Sequence, residues 1–165
     1  MEYKQNASNL HKKIGDLLTA PNSPFSGFQI YQEMPVSKIN IFYSNNTHKF
    51  DWVIPQLFLI IEAHGEQHYN LVSFSNNKED SLERLKTQKF RDMQKMQAAV
   101  DMGYTYIEIP YTDYKILDLD YIIKVYKLYK NLEPVEVQTA DSTVKRRELA
   151  KKQYKRYKEN KRKEE

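Results

Sequence analysis

Five consecutive apolar residues, Leu57-Phe58-Leu59-Ile60-Ile61, run directly into Glu62 and then into a polar string, Ala63-His64-Gly65-Glu66-Gln67-His68. A continuous apolar run this short, closed by a glycine, reads as a buried strand. Such a strand must pair with a neighbour, and one lies just upstream: Phe50-Asp51-Trp52-Val53, joined to it through Pro55-Gln56. The two strands are expected to fold back on one another as a hairpin. That hairpin would carry Asp51 on one strand to the neighbourhood of Glu62 at the end of the other.

The rest of the chain is arranged around this hairpin. Ser8 to Leu18 opens with a serine suited to capping and places Leu10, Ile14, Leu17 and Leu18 on one stripe, which predicts a helix. After the loop at TAPNSP come FQIYQEMPV and INIFYSN, whose aromatic and β-branched residues predict one or two further strands. Downstream, residues 76–103 have helix-forming composition, with Leu82, Leu85, Phe90, Met93, Met96, Ala99 and Val100 near helical spacing and Gly103 as the stop. Tyr104 to Ile109 alternates with period two and predicts a last strand, and Asp118 to Leu132 predicts an amphipathic helix. The expected fold is therefore mixed α/β: helix, a meander of up to three strands, helix, strand and C-terminal helix. A strand–helix–strand crossover favours parallel neighbours.

Charge divides the chain. From Asp141 to Glu165 eleven Lys or Arg stand against five Asp or Glu, a balance of +6, while fifteen against seventeen leave residues 1–140 at −2. The expected organisation is a core at 1–134 and a basic helix or tail at 135–165, a footprint that suits a polyanion. The absence of cysteine excludes disulfides, thiolate metal sites and cysteine nucleophiles. No apolar run approaches the roughly 18 residues of a membrane span, and MEYKQNASNLHKK lacks the apolar stretch of a secretory signal, so export by that route is not expected. No membrane association and an intracellular, cytoplasmic location are expected.

Two carboxylates on adjacent strands form a hard oxygen site that suits Mg²⁺ or Mn²⁺, ions that activate water and neutralise charge on a phosphoryl group. Asp51 and Glu62 read alone as solvated strand ends. The polar cluster that follows Glu62 is harder to account for as core, because buried polar groups need partners. Glu33 follows an aromatic strand and reads either as an exposed strand end or as facing the metal, and His11 and His48 lie in polar surroundings with no chemical role assigned. For Arg91, Asp92 and Lys95 two readings stand side by side: an Asp92–Lys95 ion pair along a helix, or phosphate contacts by Arg91 and Lys95 with Asp92 orienting a histidine.

The string FDWVIPQLFLIIEAHGEQHY, with KFRDMQKMQAAVDMGYTYIEIPY downstream, resembles the PD-(D/E)XK nuclease superfamily, in the branch of very-short-patch repair endonucleases and phage-type homing endonucleases. The matching residues are Asp51, Glu62, Gly65, Gln67 and His68, followed by Arg91, Asp92, Lys95 and Gly103. The resemblance covers about Leu10 to Tyr111 and implies a restriction-endonuclease-like core. It also implies that Asp51 and Glu62, with the carbonyl of Ala63, bind Mg²⁺ or Mn²⁺, with Gln67 in the catalytic cluster. His64 stands where many superfamily members carry a lysine, and His68 competes with it for the role of base. An acid on the first helix commonly completes such sites, and Asp16 is the only acid in that helix. The implied function is a metal-dependent endonuclease acting on DNA, with RNA or branched DNA as further substrates. It would work inside a cell, a phage-infected host among the settings, and double-strand cleavage would favour a homodimer. Phosphate contacts are expected from Arg91 and Lys95 and, in the tail, from Arg146, Arg147, Lys151, Lys152, Lys155 and Arg156. The competing readings are a catalytically silent nucleic-acid-binding module on the same fold and an interaction protein whose basic tail binds an acidic partner.

Overall fold

A computed structural model of the chain describes residues 2–69, 78–130 and 159. The elements are α1 (Asn9–Thr19), β1 (Tyr31–Pro35), a one-turn α2 (Val36–Ile39), β2 (Lys49–Ile54), β3 (Leu59–His64), α3 (Lys78–Asp101), β4 (Thr105–Pro110) and α4 (Leu119–Lys130). The four strands form one mixed sheet in the order β1-β2-β3-β4, with β1/β2 and β2/β3 antiparallel and β3/β4 parallel. The expected mixed α/β fold is thus observed, including the parallel pairing that the α3 crossover requires. By contact density the chain divides into two units, residues 1–119 and 120–165. The second begins within α4, which carries Tyr121, Ile122 and Val125 along one stripe. The boundary expected at 134/135 and the tail residues Arg146, Arg147, Lys151, Lys152, Lys155 and Arg156 lie outside the described residues. Among the described residues no helix is long and apolar enough to cross a membrane.

The hairpin forms as expected, with Trp52 opposite Ile61 and Val53 opposite Ile60. Its connection is a 3₁₀ turn at Pro55–Leu57, followed by Phe58 in the left-handed region. Leu57 and Phe58 therefore belong to the turn, and β3 runs on past Glu62 to His64.

On one face of the sheet Val53, Ile60 and Tyr106 pack with Phe50, Val36 and Ile39 under Met96 and Ala99 of α3. Trp52 faces α1. Its ring lies so close to the α1 backbone that a Cβ on Gly15 would come within 2.6 Å of it, a separation that non-bonded atoms do not adopt. The glycine lets α1 lie flush on Trp52, and both Trp52 and the neighbouring Ile14 are fully buried. Burial of such side chains contributes roughly 1.5–3 kcal/mol each. Ser8 caps α1 by accepting a hydrogen bond from the His11 amide at 3.1 Å.

One expectation is met at its lower count, with β1 alone formed from FQIYQEMPV and INIFYSN, and one fails. INIFYSN is not a strand: Asn40 hydrogen-bonds through its amide group to the Ala98 carbonyl and through its Oδ1 to the Phe42 amide, which turns the chain and leaves Ile41 and Phe42 78% and 88% exposed. The inner face of α3 is also not the apolar stripe read from the sequence. Leu82, Phe90 and Met93 are exposed, whereas Asp92 and Lys95 lie buried beside Met96, Ala98 and Ala99. Polar residues occupy inward positions here because they form the wall of a cavity.

Candidate active site

The regular β2/β3 register ends at Trp52 and Ile61. One residue further on, side chains take over the role of the ladder: Ala63 N donates to Asp51 Oδ2 at 2.8 Å, and Asp51 N donates to Glu62 Oε1 at 3.1 Å. Each carboxylate satisfies a backbone amide of the opposite strand. This reciprocal arrangement fixes both acids at the edge of a cavity of about 580 Å³, which the same wall shares with Ala63, Gln67, His68 and Lys95. The hairpin thus brings Asp51, Glu62 and Ala63 together, and a 3₁₀ turn at Glu66–His68 that follows β3 sets Gln67 and His68 on the same cavity.

Glu62 is buried and its second oxygen, Oε2, accepts from Lys95 Nζ of α3 at 2.6 Å. Burial pushes its carboxyl up to about 8, against the attraction of Lys95 and with added repulsion from Asp51. Lys95, expected among the phosphate contacts, is thus held at Glu62 and buried. Burial also works to raise the Asp51 carboxyl, but hydrogen bonds from His11 and the Ala63 amide and the charge of Lys95 hold it below its usual value.

On one side of this pair stands a histidine wall. His68 Nδ1 lies 2.7 Å from Asp92 Oδ2, and the rings of His64 and His68 stack at 4.2 Å. Gln88 donates to the other Asp92 oxygen at 3.0 Å, and Arg91 in turn donates to Gln88. A carboxylate accepts only, so His68 presents N–H at Nδ1 to Asp92 and leaves Nε2 as the basic nitrogen. Although burial opposes it, the hydrogen bond and charge of His68 keep the Asp92 carboxyl low. Of the two readings for α3, the helix brings Asp92 to a histidine and pairs Lys95 with Glu62. His64 differs from His68. It is buried, its Nε2 has no hydrogen-bond partner among the described residues, and burial pushes its pKa down to about 4. His64 is therefore neutral at neutral pH, and Lys95 is a nearby cation.

On the other side lie His11, to which the sequence assigned no chemistry, and Glu33, read either as an exposed strand end or as facing the metal. His11 is 2% exposed, lies against Trp52 with ring centroids 4.7 Å apart and planes tilted by 34°, and places Nδ1 3.4 Å from Asp51 Oδ1. Glu33 lines the cavity from β1, in the left-handed region with φ 57° and opposite the break in the β1/β2 ladder at Asp51. A non-glycine residue there costs on the order of 1 kcal/mol or more and collects at functional sites. The sequence held one signal for His11: with Gly15 it continues the buried side of α1 next to Leu10, Ile14 and Leu18. Asp16 does not reach the cavity. It is exposed and accepts a hydrogen bond from Tyr3, because five residues separate it from His11, about 140° around a helix. His48 stands at the rim, hydrogen-bonded to Tyr43 at 2.6 Å.

Among the described residues two groups bring ligand atoms within 4.8 Å of one another: His64, His68 and Asp92, and His11, Glu33 and Asp51. The second is mainly hard carboxylate oxygen with one imidazole, a donor chemistry that accepts divalent ions. Comparison with models of known protein families and with curated protein sequences finds no match.

Proposed function

We propose that this chain is a divalent-metal-dependent nuclease that hydrolyses phosphodiester bonds in DNA, on a core like that of the restriction endonucleases. The observation that carries this reading is the convergence on one cavity wall of crossed carboxylates, Asp51 and Glu62, with a carboxylate-oriented histidine, His68. Asp51 and Glu62, with the carbonyl of Ala63, would hold Mg²⁺ or Mn²⁺. Such an ion supplies electrostatic stabilisation of charge developing on phosphorus-bound oxygen and acidifies water. His68 Nε2 takes a proton from the attacking water, and Asp92 fixes the ring's tautomer and stabilises the imidazolium that results. Lys95 sets the charge and position of Glu62 by direct hydrogen bond. Arg91, on the cavity wall and paired with Gln88, together with the basic residues of the tail, meets the phosphates. His64 stacks under His68 and keeps its ring in place as a neutral partner.

The test is incubation of the purified chain with supercoiled, linear, single-stranded and branched DNA, and with RNA, in Mg²⁺, Mn²⁺ or excess chelator. Cleavage of at least one substrate that needs the ion and is lost in Asp51→Asn is the expected result. Binding without cleavage under every condition would reduce the protein to a nucleic-acid-binding module.

A further inference from the structure

A chain of hydrogen bonds fixes the tautomer of His11. Gln32 Oε1 accepts from the Lys4 amide at 2.9 Å, and Gln32 Nε2 donates to the Glu2 carbonyl at 3.2 Å, so the orientation of the Gln32 amide is set by partners that cannot exchange roles. The same Oε1 lies 3.2 Å from His11 Nε2, which must therefore carry its proton. When the ring is neutral, Nδ1 is a bare lone pair that faces Asp51 Oδ1, another acceptor, across 3.4 Å, so the contact closes around a shared cation: the proton of the His11–Asp51 hydrogen bond, or a metal ion in its place. Two acceptors held face to face in a buried site repel unless a positive species lies between or beside them. A ring whose distal N–H is tied to a carbonyl oxygen and whose other nitrogen meets carboxylates is the usual preparation of a metal-ligating histidine.

We infer that His11, Glu33 and Asp51 form a binding site for a divalent ion of borderline softness, Mn²⁺ or Zn²⁺ rather than Mg²⁺, on the Oδ1 side of Asp51. The ligand atoms of the three residues lie within 4.8 Å of one another. Imidazole nitrogen together with carboxylate oxygen selects against Mg²⁺, which prefers oxygen and retained water. Lys4 supplies the second observation. Its ammonium reaches Glu33 Oε1 at 2.5 Å and stands 3.9 Å from Asp51 Oδ1, so the N-terminal segment carries a cation into the same cluster. That ammonium competes with the ion for Glu33 and makes occupancy depend on the position of the segment. This site extends the hydrolytic reading and rests on it only through the shared Asp51.

The experiment is Mn²⁺ binding to the full chain, followed by the decrease of the free-ion electron paramagnetic resonance signal, with pulsed measurement of ¹⁴N coupling on the bound ion. Wild type is expected to bind Mn²⁺ with nitrogen coupling. His11→Gln should weaken binding at least about tenfold, the lower end of the cost of losing even an outer-shell partner, and abolish the coupling. Glu33→Gln, at a more exposed position, should weaken binding to a similar degree and retain the coupling. Lys4→Ala should tighten it by a few fold. Thermal unfolding of each variant separates a lost ligand from a lost fold, and Glu33→Gln keeps the test valid should His11→Gln not fold. Unchanged affinity and coupling in His11→Gln overturns the inference, as does coupling that disappears only in His68→Gln, or wild type that fails to bind Mn²⁺. DNA cleavage by the same preparations tells the two readings apart. Mn²⁺-dependent cleavage with no role for His11 in binding defeats the site alone, whereas a His11-ligated ion without cleavage of any nucleic acid defeats the hydrolytic reading alone.

Discussion

His11 and His68 stand on opposite sides of the Asp51–Glu62 pair, each against a carboxylate, yet their ring nitrogens are used in reverse. His68 gives its Nδ1 proton to Asp92 and keeps Nε2 free, whereas His11 gives its Nε2 proton to Gln32 and turns Nδ1 toward Asp51. The difference lies outside the rings, in whether the fixed partner is a charged acid or a neutral amide. An acid behind the ring stabilises the imidazolium and makes a base, while an amide oxygen behind it leaves the other nitrogen as a neutral ligand. In the proposed nuclease, identical side chains in one cavity would thus take a proton-handling role and an ion-binding role.

The most severe way to break this comparison is to remove the acid that lies between the two sides. Asp51→Asn should lower DNA cleavage at least about a thousandfold, since it removes an anionic oxygen on which several kcal/mol of electrostatic stabilisation depends. A rate within tenfold of wild type, measured at saturating DNA and Mn²⁺, would remove Asp51 from the site.

The histidine wall can be sharpened through pH. The folded-state pKa of His64, about 4, lies below its ordinary value of 6.5, so its contribution to stability is complete above pH 6.5 and is lost as the pH falls toward 4. The full effect is on the order of 3 kcal/mol. Glu62 is shifted the other way, to about 8 from 4.5, and its contribution is lost as the pH rises through that window. The two slopes oppose each other between pH 4.5 and 6.5, so wild type alone conceals them. Denaturant titrations of wild type and His64→Leu across pH 4–7 should show the variant gaining stability relative to wild type as the pH falls. Parallel curves would mean that His64 is charged at little cost.

The His11 wall depends on how closely α1 approaches the sheet. A methyl group at Gly15 would meet the Trp52 ring at 2.6 Å, so Gly15→Ala should destabilise the fold by about 1–3 kcal/mol despite its better helix propensity. It should also weaken ion binding, because it lifts His11 away from Asp51, while His68 and Asp92 keep their hydrogen bond. Wild-type unfolding would show that α1 can shift at no cost and that His11 is not held in place.

The same contrast explains what the sequence revealed. The pairing of Asp51 with Glu62 was legible because an apolar strand flanked by a turn has one way to fold back, and period two then places the acids together. The capped first helix and Gly103, at φ 78° after α3, were legible for equally local reasons. The place of His11 was not, because it arises from Gly15 meeting Trp52, a contact between residues far apart in the chain. Asp16 was favoured for its chemistry, although its angular position on α1 excludes it. On α3 the apolar spacing pointed to Phe90 and Met93, whereas Asp92 and Lys95 face inward to partners on His68 and Glu62, and these polar contacts overrode the periodicity. At Ile41 and Phe42 a strand-like pattern yielded to the hydrogen bonds of a single asparagine.

The most direct test of the two roles is single-turnover DNA cleavage by His11→Gln and His68→Gln across a wide range of Mn²⁺ concentration. A weakened ligand can be compensated by more ion, whereas a missing base cannot. Excess Mn²⁺ should therefore restore His11→Gln to within a few fold of wild type, while His68→Gln stays about a hundredfold slower at every concentration, the loss typical of a missing general base. Rescue of both variants, or a wild-type rate in His68→Gln, would contradict the division of labour between the two histidines.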